Sequence, residues 1–180
     1  RSEREDCLYP DSGAKYAMEY DRDASLLTPQ VACPDHVDSV VPVEDRAGVE
    51  LTQVYIGSCT GGRLSDLRSA ARVLNGRKIK PGLRFLVSPA SGNVYRNALA
   101  EGTLAVLSEA GAVITAPSCG LCLGAHTGIL AGGDVCLSTT NRNFLGRMGS
   151  KESKVYLASA ATAAASAIAG AITDPRPFFE

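Results

Sequence analysis

The feature that most constrains the fold is an alternation of short apolar runs with amphipathic segments, which begins at residue 49. This pattern is typical of βα units and predicts a largely parallel sheet with helices between its strands. The predicted strands cover residues 51–56, 84–87, 112–115, 135–138 and 154–158, and the predicted helices cover residues 64–74, 93–109 and 160–171.

Residues 1–48 have a different character. They are irregular and are interrupted by Pro10, Pro29, Pro34 and Pro42, each of which prevents a long helix. We therefore predict an extended N-terminal arm over residues 1–48 and an α/β unit over residues 49–180, together making one domain.

Composition excludes several classes of protein. A chain of 180 residues with 45% hydrophobic and 21% charged side chains is typical of a globular protein with one substantial core. The 18 Lys and Arg residues barely differ in number from the 19 Asp and Glu residues, so no basic excess exists to attract nucleic acid or an anionic membrane. The longest apolar run, residues 155–172, is Ala-rich and contains Ser and Thr, which favours a packed helix over a membrane span. The charged first residues do not resemble a signal peptide, so we expect a cytoplasmic protein.

Three of the six cysteines follow predicted strands. Cys59 comes after the first strand, and Cys119 and Cys122 form a CxxC after the third. Since the carboxyl ends of parallel strands share one sheet edge, we expect these thiols to converge there. Three thiolates leave a metal one open position, which suits Lewis-acid chemistry. The CxxC alone is also consistent with half of a zinc site, a redox dithiol or part of an iron–sulfur ligand set, and any single cysteine could be a small buried residue. Cys136, inside an apolar run, is assigned to the core.

Arg142 and Arg147 lie in a segment after the fourth strand that contains no carboxylate. Guanidinium groups bind carboxylates bidentately, so a small polycarboxylate is the natural ligand for such a pair, with two solvated surface arginines as the alternative. His126, shortly after the CxxC, could form a hydrogen bond near the same site.

These motifs, in this order, resemble the aconitase superfamily, and most closely its 3-isopropylmalate dehydratase and homoaconitase group. The resemblance covers nearly the whole chain. The segments that carry it are IGSCTGGR at residues 56–63, SCGLCLG at 118–124, TNRNFLGRMG at 140–149 and ITDP at 172–175.

The resemblance implies a three-layer α/β/α fold with a largely parallel sheet. It also implies a hydro-lyase that isomerises a hydroxy di- or tricarboxylate by dehydration and rehydration. The implied cofactor is a [4Fe–4S] cluster held by Cys59, Cys119 and Cys122, with the fourth iron left for substrate.

The resemblance further implies that Asn141 supports the cluster and that Arg142 and Arg147 bind substrate carboxylates. It identifies no catalytic base in this chain, because a serine of a small swivelling subunit is implied to supply it. It extends to only the last of three large-subunit domains, and the chain begins with Arg rather than Met. We therefore expect part of a longer protein, inactive alone, that needs the remaining domains and the small subunit, and we expect no nucleic-acid or membrane partner.

One alternative function remains open at this stage, namely a non-catalytic metal or redox module that uses the CxxC pair alone. Cys59 distinguishes the two, because a dithiol redox pair has no use for a third thiolate. One departure from the family pattern is Gly61, which stands where the family usually has Asn, and we expect it to affect substrate specificity.

Overall fold

Seven strands form one mixed sheet in the computed structural model, which describes residues 9–179. The strand order is β2-β1-β7-β6-β3-β4-β5. Strands β3 to β7 are parallel to one another, while β1 runs antiparallel to both β2 and β7. The strands are β1 (Gln30–Ala32), β2 (Val40–Pro42), β3 (Gln53–Gly57), β4 (Arg84–Ser88), β5 (Val113–Ile114), β6 (Val135–Ser138) and β7 (Lys154–Leu157).

Four helices cover one face of this sheet. They are α2 (Leu64–Leu74), α3 (Gly92–Ala100), α4 (Thr103–Ala110) and α5 (Ala160–Ala169), while the one-turn helix α1 (Ser58–Gly61) directly follows β3 at the sheet edge. Helix α2 packs against both α4 and α5, so these three helices lie on the same side. Its buried side chains Leu67, Ala71 and Leu74 recur at helical spacing and form the stripe that faces the core.

Loops cover the opposite face. The buried side chains there are Tyr55, Leu86, Leu121, Cys122, Leu130, Cys136, Met148 and Val155. Two of them, Leu121 and Cys122, belong to the short 3-10 helix Leu121–Leu123. The cover comes largely from residues 115–134, which are rich in Gly, Ser and Thr and so do not favour a long helix. The predicted α/β fold with a largely parallel sheet is confirmed, and the layer on this second face is built from loops.

The predicted elements match the structure closely with one exception. The helix predicted over residues 64–74 coincides with α2, and the strand predicted over residues 135–138 coincides with β6. The single helix predicted over residues 93–109 is wrong, because α3 and α4 are separated at Gly102. The φ angle of Gly102 is +83°, a left-handed conformation that an α-helix cannot pass through.

The apolar run of residues 155–172 begins in β7, and the rest of it contains α5, which is packed in the core as predicted. Four alanines, Ala163, Ala164, Ala165 and Ala167, are fully buried. In the part of the chain that the structure describes, none of the helices has the length and apolar character needed to cross a bilayer.

The segment predicted as an extended arm contributes two strands to the sheet. Strand β1 joins β7 through the pair Ala32 and Leu157, and β2 forms the outer edge. Val31 is fully buried in the main core. The prolines prevent helices here but are compatible with an edge strand, and Pro42 lies in β2 itself.

Candidate functional site

The candidate site lies at the edge of the sheet where the parallel strands end. Strands β3, β4, β5 and β6 are parallel, so their carboxyl ends lie at the same edge. Cys59 follows β3 directly, the CxxC follows β5, and residues 141–147 follow β6. The structure therefore brings the predicted ligand and arginine segments to one edge of the sheet.

Cys59 lies on the tight turn that ends β3. The preceding residue, Ser58, has a φ of +76°, which is uncommon for a residue with a side chain and is found mostly at functional turns. The Ser58 hydroxyl lies 2.9 Å from the Thr60 hydroxyl and accepts a hydrogen bond of 3.3 Å from the Thr60 backbone N–H. These contacts fix the turn around Cys59, whose side chain is exposed.

Gly61 is the residue at which this turn contacts the loop after β6. The Thr139 hydroxyl donates a hydrogen bond of 3.0 Å to the Gly61 carbonyl and accepts one of 2.9 Å from the Gly57 N–H. A Cβ atom at residue 61 would lie 2.1 Å from the Thr139 carbonyl oxygen, so only glycine fits this backbone. An asparagine here, which the resemblance leads one to expect, would therefore require the β3 and β6 loops to move apart.

The two cysteines of the CxxC differ in exposure. Cys119 is exposed, whereas Cys122 is buried in the 3-10 helix beneath it. The Ser118 hydroxyl lies 3.2 Å from His126 Nε2 and accepts a hydrogen bond of 3.4 Å from the Gly120 N–H. His126, predicted to form a hydrogen bond near the site, does so through Ser118 and holds the start of the CxxC loop.

Arg147 and Arg142 have different surroundings. Arg147 Nε donates a 2.8 Å hydrogen bond to the Cys122 carbonyl, and its guanidinium lies over the Phe144 ring, 5.3 Å from the centroid. Arg142 is exposed, and its Nη1 donates a 3.0 Å hydrogen bond to the Asn141 carbonyl. Among residues 9–179, neither guanidinium forms an ion pair with a carboxylate. Arg142 is thus free to bind an anion, and Arg147 is already bound to the CxxC loop.

Asn141 and Asn143 have opposite environments. Asn141 is exposed at the site edge. Asn143 is 1% exposed, and its side-chain amide donates hydrogen bonds to the Cys33 carbonyl at 2.6 Å and the Val155 carbonyl at 3.4 Å. Asn143 therefore ties the site segment to strands β1 and β7, a structural role that the sequence analysis missed.

Tyr55, another residue that the sequence analysis missed, lies beneath the site. Its side chain is fully buried, and its hydroxyl has no hydrogen-bond partner in the described part of the chain. Burial raises the pKa of Tyr55 to about 12, and the charges of Cys122 and Cys119 add to the rise, while the neighbouring Ser88 hydroxyl and Ser58 backbone oppose it. The sequence feature that could have identified Tyr55 is its hydroxyl-bearing side chain within a predicted strand, four residues before Cys59.

The other two cysteines of the described residues do not belong to this set of three thiols. Cys136 is fully buried in β6, and burial raises the pKa of its thiol to about 12, as befits the predicted core position. Cys33 directly follows β1 beside the end of β7, and its thiol accepts a 3.2 Å hydrogen bond from Arg46 Nε. Cys7 lies outside the described residues.

The side-chain donors of the predicted ligand segments are thiols. Over residues 9–179, no three His, Cys, Asp or Glu side chains are grouped closely enough to hold one metal ion. A structural zinc takes four ligands around one atom, whereas each thiolate of a four-iron cluster binds a different iron. Residues 57–63, 115–127 and 139–149 contain three cysteines and no Asp or Glu, a donor set whose chemistry fits an iron–sulfur cluster, while Asp35 lies beside Arg142 and Asn143.

Comparison with known proteins gives consistent results. The model of the aconitase family (aconitate hydratase) matches residues 44–170. The chain is 56% identical, over 94% of its length, to the 3-isopropylmalate dehydratase large subunit 1 of Methanopyrus kandleri, and covers 40% of that protein. It is 54% identical, over 97% of its length, to the 3-isopropylmalate dehydratase large subunit of Sulfurihydrogenibium sp., of which it covers 41%. The homoaconitase large subunit of Thermus thermophilus is 53% identical over 97% of this chain, which covers 42% of that protein. The chain thus spans about two fifths of the length of these relatives.

Proposed function

Because the chain belongs to the aconitase family, we propose that it forms the cluster-binding part of a hydro-lyase of the 3-isopropylmalate dehydratase or homoaconitase type. Such an enzyme isomerises a hydroxy di- or tricarboxylate by dehydration and rehydration. One arrangement carries the proposal: three thiols and two arginines follow parallel strands of one sheet and end at one edge.

Cys59, Cys119 and Cys122 are the residues that would hold the [4Fe–4S] cluster. Family membership implies an iron–sulfur cofactor, and three thiolates leave one of four irons without a protein ligand. When bound, the cluster supplies a Lewis-acidic iron that polarises the substrate hydroxyl. Asn141, which is exposed and follows β6, would support the bound cluster from that side.

Arg142 and Arg147 are proposed to bind substrate carboxylates. Arg142 is exposed and has no carboxylate partner among the described residues, so its planar fork is available for a bidentate contact. Arg147 uses Nε and Nη2 on Cys122, which leaves Nη1 for the substrate. Arg147 would therefore couple the position of the substrate to that of the CxxC loop.

The base that removes the proton from carbon is proposed, on the family resemblance, to come from outside this chain. His126, the titratable side chain nearest the CxxC in sequence, is held between Ser118 and Thr127, with its Nδ1 2.9 Å from the Thr127 hydroxyl. The relatives named above are large subunits, so we propose that a small subunit and the rest of the large subunit complete the site.

Apolar side chains around the site fit this proposal. Phe144 and Leu145, between the two arginines, are 50% and 53% exposed, and Leu123, next to Cys122, is 44% exposed. Large apolar groups beside a polar site are suited to burial under another protein surface. The remaining domains would cover this edge and exclude water from the reaction.

The test is cluster assembly in the whole protein that contains this chain. Anaerobic incubation with iron and sulfide should give about four irons per chain, and Cys59→Ser, Cys119→Ser and Cys122→Ser should each prevent this, because each removes one of three ligands. Cys33→Ser is the matched control, since the Cys33 thiol contacts Arg46 Nε, and this change should leave iron content unchanged.

The same variants distinguish the alternative of a redox module. A redox pair would undergo reversible disulfide formation between Cys119 and Cys122 and would tolerate Cys59→Ser. Full redox cycling in Cys59→Ser, with no iron uptake by the unsubstituted protein and no turnover of 3-isopropylmalate or homoaconitate, would contradict the hydro-lyase proposal.

A further inference from the structure

The Tyr55 side chain reaches from the middle of the sheet to the candidate site. Its ring lies against Gly57, two residues further along β3, where a Cβ atom would be 2.5 Å from Tyr55 Oη and 2.6 Å from Cζ. Any side chain at residue 57 would displace the ring. The missing side chain of Gly57 is therefore what allows the phenol to run along the strand toward the turn that carries Cys59.

The Tyr55 hydroxyl is buried without a partner. It is one of three buried side-chain oxygen or nitrogen atoms in the described residues that make no hydrogen bond. Ser88 and the Ser58 backbone are neighbours, and the Ser88 hydroxyl, which donates to the Ala116 carbonyl at 3.2 Å, keeps lone pairs that could accept, but neither group forms a hydrogen bond with the Tyr55 hydroxyl. A buried donor without an acceptor is costly, and phenylalanine would fill the same space without that cost. The hydroxyl is therefore suited to an acceptor that arrives with a bound group.

Sulfur is the acceptor that the surroundings offer. Tyr55 and Cys122 belong to the same buried cluster on the loop-covered face. Negative charge on Cys122 or Cys119 raises the pKa of Tyr55 further. A thiolate or an inorganic sulfide at this place would carry negative charge and would accept a hydrogen bond from a neutral phenol.

We propose that the Tyr55 hydroxyl donates a hydrogen bond to a sulfur atom of the iron–sulfur cluster held by Cys119 and Cys122. Tyr55 is thus a positioning residue that holds the cluster and sets its reduction potential. This inference rests on the proposed cluster. A hydrogen bond to sulfur stabilises the more negative, reduced form, so it raises the reduction potential.

The test is Tyr55→Phe in the whole, cluster-loaded protein, because this change removes the hydroxyl and keeps the ring. We expect a lower reduction potential in a titration followed by electron paramagnetic resonance. We also expect iron loss to a chelator to be about 2- to 10-fold faster, the factor for one lost hydrogen bond. The matched control is Tyr156→Phe on the other face of the sheet, which should change neither quantity.

Metal-free protein provides a second measurement. If the hydroxyl has no partner before the cluster binds, Tyr55→Phe should unfold at an equal or higher urea concentration than the unsubstituted protein. A lower midpoint, with unchanged potential and iron loss, would assign Tyr55 a structural bond to Ser88 and overturn the inference. Unchanged potential and iron loss alone would also overturn it. If the unsubstituted protein itself takes up no iron and sulfide, this result contradicts the proposed function, and the inference about Tyr55, which depends on that function, is then also wrong.

Discussion

Arg147 holds Cys122 at two points: its Nε donates a 2.8 Å hydrogen bond to the Cys122 carbonyl, and its Nη2 lies 3.4 Å from the Cys122 thiol. An arginine that the sequence assigns to substrate is therefore also a support for a proposed cluster ligand. Arg142, five residues earlier, makes no contact with either CxxC cysteine among the hydrogen bonds of the described residues.

This difference predicts different effects for the same substitution. Arg147→Lys should weaken both cluster retention and substrate binding, because an ammonium group cannot replace the planar fork. Arg142→Lys should also lower kcat/KM but should leave iron content unchanged. In both variants we expect kcat/KM to fall roughly 10- to 150-fold, the factor for a charged hydrogen bond of about 1.5–3 kcal/mol. Iron analysis and steady-state kinetics on the complete enzyme check both. Equal iron loss in the two variants would contradict the distinction.

Gly61→Ala should destabilise the domain. The added Cβ would meet the Thr139 carbonyl at 2.1 Å, so the two loops must separate, and we expect a loss of about 1–3 kcal/mol in the free energy of unfolding. Gly92→Ala is the control, because its Cβ would come no closer than 3.6 Å to a neighbouring atom, Arg96 Nη1. Urea unfolding measures both, and equal stability of the two variants would show that the loops adapt.

Asn143→Ala should lower stability, while Asn141→Ala should not. The first change removes the amide that bridges the Cys33 and Val155 carbonyls, at a cost of about 1–3 kcal/mol for buried groups left unpaired. The second removes an exposed side chain and should affect cluster retention only. Unfolding midpoints together with iron-loss rates separate the two, and a stability loss in Asn141→Ala would argue against its proposed role.

Thiol labelling of metal-free protein should follow exposure. Cys59 and Cys119 are exposed and should react with iodoacetamide in the folded state. Cys136 is fully buried with a pKa raised to about 12, so it should react only after unfolding. Mass spectrometry of timed samples identifies each modified residue. Early labelling of Cys136 would mean that β6 opens readily.

Glu101 should contribute to stability in a defined pH range. The Arg68 guanidinium, which donates hydrogen bonds of 3.0 and 3.1 Å, and the Thr103 hydroxyl lower the pKa of Glu101 from 4.5 to about 2. The folded state thus favours the carboxylate, so the contribution is complete above pH 4.5 and is lost as the pH falls toward 2. The difference in unfolding free energy between the unsubstituted protein and Glu101→Gln should shrink over that range. A constant difference would contradict the proposed pairing.

Much of the fold could be predicted because its signals are local. The helical spacing of Leu64–Leu74 and the apolar run Val135–Ser138 each lie within one element, and both elements were predicted with the right bounds. The break at Gly102 was missed because the apolar pattern continues across it, and a glycine inside a helix is tolerated in sequence. Because neighbouring parallel strands run in one direction, their carboxyl ends lie at the same sheet edge, however the side chains pack.

The sequence by itself determined the alternation of strands and helices from residue 49 onward, apart from the break at Gly102, together with the three thiols and the two arginines, because period, spacing and residue chemistry can be read along the chain. Only the tertiary structure decided what each side chain does. The Asn143 amide donates a hydrogen bond to the carbonyl of Cys33, which is 110 residues away in sequence, and the Thr139 hydroxyl donates one to the carbonyl of Gly61, 78 residues away. Contacts of this kind depend on the distances between elements after packing, and no local pattern encodes those distances. For the same reason, the burial of the Tyr55 hydroxyl could not be predicted from the sequence, because it depends on the loops that cover this face of the sheet.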